Sequence, residues 1–180
     1  MGGLYAKNLT GDFVECGVFK GTHAMSNMVY IDFQSMPERK YYLFDTYCGM
    51  DKQLASAKEI ATFKGVYTDT YDFVVQSFKD FPNVVIVKGT VPKTLGDVNI
   101  KDVAYLHLDM NCAIPEAEAI KFFWPKIVPF GIIILDDYAW IGHEDQKKVM
   151  DEFARAKGVK ILSLPTGQGL LIKPGDTSTV

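Results

Sequence analysis

Apolar runs of strand length alternate with amphipathic stretches along the whole chain. Phe13-Val14 opens a first strand and runs into a glycine-rich turn, after which Thr22 to Phe33 has the make-up of a helix. Tyr41 to Phe44, Val84 to Val87, Val103 to Leu108 and Ile132 to Leu135 are further strand-length runs, and none shows an in-out alternation. Such continuously apolar strands are buried on both faces, as in a parallel sheet covered by helices. Between them, Lys52 to Phe63, Asp69 to Phe81, Pro115 to Ile127 and Glu144 to Lys157 read as helices; Pro82 stops one, and Gly158 closes the last. The βαβα order predicts a doubly wound α/β fold. The tail differs. Lys160 to Leu164 and Leu170 to Lys173 are joined by the short turn Pro165 to Gly169, so they must pair antiparallel. A parallel sheet ending in an antiparallel hairpin, with helices on both faces, suits the methyltransferase variant of the Rossmann-like fold better than a dehydrogenase. No repeat or linker interrupts the pattern, so a single domain over 1–180 is expected.

In open α/β sheets, ligands bind beyond the carboxyl ends of the strands. The first strand leads into Glu15-Cys16-Gly17-Val18-Phe19-Lys20-Gly21-Thr22, where two glycines let the backbone approach a ligand at a helix N-terminus. The second ends at Asp45, placed to accept from ribose hydroxyls; the third ends at Lys88-Gly89, the fourth at Asp109 and the fifth at Asp136-Asp137. The last two strands are expected to be neighbours, which would gather three carboxylates at one rim. A hard divalent cation with oxygen ligands relieves that repulsion: Mg²⁺, with Ca²⁺ and Mn²⁺ as alternatives.

The bulk properties narrow the field. A net charge of −3 and a pI near 5.6 argue against nucleic acid as a partner. Three cysteines without a CxxC pair point to a reducing compartment rather than a disulfide framework or zinc site. The N-terminal segment has no apolar core of a signal peptide, and no apolar run is long enough to span a bilayer. A cytoplasmic protein without membrane association is expected.

The segments GDFVECGVFKG, YYLFDTYCGMD, the VKG turn, YLHLDMN, GIIILDDY and QKKVMDEF together resemble the macrocin O-methyltransferase (TylF-like) family of class I methyltransferases, which modify antibiotic sugars. The resemblance runs from about Gly11 to Lys173. It implies an S-adenosylmethionine-dependent O-methyltransferase acting on a hydroxyl of a sugar- or polyol-like small molecule. By position it implies Glu15, Gly17 and Gly21 along the methionine part of the cofactor, Asp45 at the ribose, and Lys88-Gly89 near the adenine. Cys16, Phe19, Thr22 and Asp109 complete the expected cofactor contacts. Asp109, Asp136 and Asp137 fall on the family's metal ligands. The family's DGD motif, whose second aspartate is the general base, reads Asp109-Met110-Asn111 here, and an amide cannot accept the proton. His143 is the substitute candidate, unless metal binding alone acidifies the acceptor. His107 reads as a satisfied core histidine, and His23 as a neighbour of the cofactor's carboxylate. Phe19, Tyr47, Tyr138 and Trp140 could stack on an acceptor ring. Only about ten residues precede the first strand, so the cap over the acceptor is minimal and a second subunit of a homodimer could complete it. Two other readings stand beside this one: a cofactor-binding protein that has lost catalysis, and an NAD-dependent oxidoreductase. The turn spacing G-x-x-x-G disfavours the latter.

Overall fold

The computed structural model describes residues 1–175. The last five residues of the expected single domain lie outside them. Seven strands form one sheet: β1 (Asp12–Cys16), β2 (Tyr41–Asp45), β3 (Val84–Lys88), β4 (Val103–Leu108), β5 (Ile127–Leu135), β6 (Leu162–Ser163) and β7 (Gly169–Ile172). Their order is β3-β2-β1-β4-β5-β7-β6; the first five run parallel, and β7 pairs antiparallel with both β5 and β6. Chain direction across the sheet reverses between β1 and β4, which places the topological switch point beside Gly17 and Asp109.

Side chains alternate across the pleat and build two cores. On one face Val14, Leu106, Ile133 and Leu171 pack with α5 (Ala113–Phe123) and α6 (Glu144–Lys157). On the other, Phe13, Tyr105 and Ile132 pack with α2 (Thr22–Ile31), α4 (Tyr71–Ser77) and α1 (Gly2–Ala6). The β strands carry almost no exposed position in β1, β2 and β4, as their unbroken apolar runs required. No helix is long and apolar enough to cross a membrane among the described residues, and the three cysteines are free.

Several boundaries differ from the sequence reading. The N-terminal helix α1 was not expected; its Ala6 is buried, and its first residues lie against Tyr105, Ile132 and Ile134. The helix expected from Lys52, α3 (Ala57–Thr62), begins later because Ser56 and Glu59 form a reciprocal capping box. α2 stops at Ile31, where Asp32 turns left-handed. β5 starts at Ile127 rather than Ile132, with an irregular register against β4 and Phe130 at positive φ.

Candidate active site

The carboxyl ends of β1, β2 and β4 bound a cleft of about 210 Å³, open on one side. Gly17, Val18, Phe19, Asp45, Gly89, Asp109 and Asn111 line it, with Met50 and Tyr67 from the segments around α3. A second depression at the opposite rim, around Arg39 and Asp102, is not at strand carboxyl ends. Its arginine is spent on the Gly11, Ala6 and Lys7 carbonyls, a clasp of the chain entry.

Gly17 is where the fold needs glycine. Its φ is +89°, and a Cβ there would lie 1.9 Å from the Asp109 carbonyl oxygen. Only a residue without a side chain lets the turn after β1 close against the end of β4. Asp45 then ties this turn to β2. Its Oδ2 accepts from the backbone N–H of Val18 at 2.6 Å and Phe19 at 2.8 Å, and its Oδ1 from Tyr47 at 2.6 Å. The Thr46 hydroxyl also stands 3.3 Å from Oδ1, so the protein itself faces all of the about four acceptor sites of this carboxylate. Gly89 follows β3 and donates to the Asp45 carbonyl, whereas the Lys88 ammonium turns out over the Tyr71 ring, 4.0 Å from its centroid. Cys16 is buried in the core on the α5 face, Thr22 is exposed, and Gly21 caps α2 against Phe78. None of these three, nor Lys88, lines the cleft.

Glu15 does not line it either. Its side chain points to the α2 face, fully buried, with His23 Nδ1 at 2.5 Å from Oε2 and the Tyr41 hydroxyl donating at 3.3 Å. His107 stacks on His23 at 3.8 Å, and its Nδ1 stands 3.6 Å from the same oxygen, beyond a hydrogen bond but close enough to pair charges. Burial would raise the Glu15 carboxyl, yet the two histidines hold it down at about 2. Burial would likewise lower His107, but Asp136 and Glu15 lift it to about 10. Both histidines thus differ from their sequence reading: His23 serves Glu15 rather than a ligand, and His107 Nδ1 has no hydrogen-bond partner. Among the described residues, Glu15, His23 and His107 form the group whose potential ligand atoms all lie within 4.8 Å of one another. Imidazole binds a metal in the ring plane, and two rings stacked at 21° cannot aim their nitrogens at one nearby point. The group is an ion-pair network.

The acidic rim lies on the other side of the switch point. Asp109 accepts a bond from Asn111 Nδ2 at 3.0 Å. Asp136 follows β5, with its N–H on the Leu108 carbonyl; its Oδ1 accepts from Gln168 Nε2 at 2.7 Å and lies 3.4 Å from His107 Nε2. Asp137 Oδ2 is buried without a hydrogen-bond partner, 3.5 Å from His143 Nδ1. Burial and the charges of Asp136 and Asp137 push Asp109 up to about 8, despite His107. Glu116, unremarked in the sequence, accepts from the Met110 N–H and is also lifted to about 8 by burial, Asp137 and Asp109. Four carboxyls therefore crowd one another. The expected compact triad is only partly met: Asp109, Asp136 and Asp137 share a rim and feel one another's charge, but their oxygens do not form a group at ligand-to-ligand spacing. Two of the three are held by other partners, which keeps them apart. The donor set is all oxygen, and the orphaned Asp137 atom fits a hard cation.

His143 is largely buried at the start of α6, bonded to Gln146 and edge-on to Phe63. It backs Asp137 rather than lining the cleft. Of the four aromatics, Phe19 and Tyr47 line the cleft, Tyr47 with its hydroxyl donating to the buried Leu43 carbonyl; Trp140 is exposed, and Tyr138 is bonded to Asp151 and Lys147. Tyr67, missed in the sequence because it sits in a turn without any motif, packs against Phe19 and Phe63 above the cleft.

The macrocin-O-methyltransferase (TylF) family model matches residues 2–162, nearly the full chain. The chain belongs to that family. It is an O-methyltransferase with a class I methyltransferase fold. Similar solved structures include the O-methyltransferase NovP (TM-score 0.80, 18% identity, 95% of this chain and 75% of NovP). The calicheamicin methyltransferase CalS11 follows the same path (TM-score 0.73, 16% identity, 94% and 75%). So does the Podospora anserina methyltransferase PaMTH1 in its SAH-bound form (TM-score 0.64, 14% identity, 97% and 76%). At these identities the likeness is one of fold. No curated protein matches. The oxidoreductase alternative falls with the family assignment.

Proposed function

We propose that the chain transfers the methyl group of S-adenosylmethionine to a hydroxyl of a sugar- or polyol-like small molecule, with Asp109, Asp136 and Asp137 taking a divalent cation such as Mg²⁺. The observation that carries this reading is the crowded acid rim beside the glycine turn: a buried Asp137 oxygen lacks a hydrogen-bond partner, and neighbouring carboxyls resist ionising. The turn from Gly17 to Phe19 would seat the cofactor's methionine part, with Asp45 at its ribose. When bound, a divalent ion supplies Lewis-acid chemistry that makes an acceptor hydroxyl more acidic. Asn111 holds Asp109 and His143 stands behind Asp137, so both position carboxylates instead of taking a proton themselves. Methyl transfer is an in-line displacement, and fixing the two reactants supplies much of the rate.

The test is methyl transfer from labelled S-adenosylmethionine to a panel of sugar- and polyol-bearing acceptors, with and without EDTA. Transfer should occur, fall roughly a thousandfold in EDTA and return with Mg²⁺, as expected for several kcal/mol of lost charge stabilisation. Full transfer in EDTA removes the cation. Cofactor binding without transfer to any acceptor favours a second reading, a catalytically impaired cofactor-binding protein, for which Asn111 in place of the family's second aspartate is the motive.

A further inference from the structure

We propose that Gln168, in the turn of the C-terminal hairpin, is a positioning residue for Asp136, and that the hairpin braces the acid side of the site. The proposal rests on the reading of Asp136 as a cation ligand. Gln168 Nε2 donates to Asp136 Oδ1 at 2.7 Å, and His107 Nε2, from β4, faces the same oxygen at 3.4 Å. One carboxylate oxygen is thus gripped from two elements, which fixes the side-chain rotation and with it the direction of the other oxygen.

The amide's orientation is itself determined. Thr166 Oγ1 donates to Gln168 Oε1 at 3.1 Å, and a carboxylate can only accept, so the amide nitrogen must face Asp136. The turn is anchored as well. The Leu164 N–H donates to the Gln168 carbonyl at 2.8 Å, closing the turn. The Ala139 N–H donates to the Gly167 carbonyl at 2.7 Å, tying the turn to the segment that follows Asp136 and Asp137. Gly167 lies against Trp140 and Gly169 against Tyr138, each too closely for a side chain. The hairpin therefore meets the Asp136 to Trp140 segment at four places, and only the Gln168 contact reaches a carboxylate. Outer-shell groups of this kind set ligand direction, and their loss lowers metal affinity about 10- to 100-fold.

The experiment is Mn²⁺ binding to the full chain loaded with S-adenosylhomocysteine, read by the electron paramagnetic resonance signal of free Mn²⁺. Gln168→Leu should weaken Mn²⁺ binding about 10- to 100-fold while S-adenosylhomocysteine affinity, measured by calorimetry, stays unchanged. Thr166→Ala, on an exposed turn position that carries little risk to folding, should weaken it in the same direction by less, because the amide loses its orienting bond. Unchanged Mn²⁺ affinity in Gln168→Leu, when the unmodified chain binds Mn²⁺, overturns the brace alone. Failure of the unmodified chain to bind Mn²⁺ overturns the cation reading beneath it.

Discussion

The two sides of the switch point are built on opposite principles. On the β1–β2 side, Asp45 accepts three backbone N–H groups, and Gly17 closes the turn against Asp109 with no room for a side chain. Its charge is satisfied before any ligand arrives. On the β4–β5 side, burial and neighbouring carboxylates push Asp109 and Glu116 above the usual carboxylate range and raise Asp137, and one Asp137 oxygen has no hydrogen-bond partner. A rigid half positions a reactant. An unbalanced half invites a positive charge, and costs stability until it has one.

That contrast can be broken from the settled side first. Gly17→Ala should destabilise the chain by about 3 kcal/mol in urea unfolding, since the new methyl meets a main-chain carbonyl that cannot swing aside. A loss below about 0.5 kcal/mol would mean the turn adapts and is not rigid.

The unsettled side is sharpened by pH. In EDTA, Asp109 and Glu116, both near 8, and His107, near 10, bind protons more tightly in the folded chain than in the unfolded one. The stability they confer is full below their unfolded values and is lost as pH rises through the folded ones. Glu15, held at about 2, works the other way, and its contribution is lost only below the ordinary carboxylate range. Unfolding free energy of the metal-free chain should therefore be highest near pH 5 and decline towards pH 9. Saturating Mg²⁺ should reduce the decline. A flat profile between those limits would show that the carboxyls are not mutually strained.

Much of the framework could be read from residue pattern. The unbroken apolar strands announced a parallel sheet, the short Pro165 to Gly169 turn announced the antiparallel end, and the strand-end acids fell at the carboxyl edge of the sheet. What escaped depended on register or on partners far along the chain. Glu15 looked like a cleft residue because it abuts the glycine turn. The pleat sends it to the α2 face, where its partners are His23 and the distant His107. Asp45 read as free to hold a ribose, because backbone donors leave no mark in a sequence. Gln168 was one polar residue in a turn until the hairpin folded back onto Asp136. The start of α3 is a different case: Ser56-x-x-Glu59 is a capping signal visible in the chain itself.

The central claim is that the acid rim holds a divalent cation through Asp137. It is tested most directly by calorimetric titration of Mg²⁺ into the S-adenosylhomocysteine complex of the unmodified chain and of Asp137→Ala. The account predicts one ion bound per chain in the first and none in the second, with S-adenosylhomocysteine binding both alike. Undiminished Mg²⁺ binding by Asp137→Ala, or none by the unmodified chain, would contradict it.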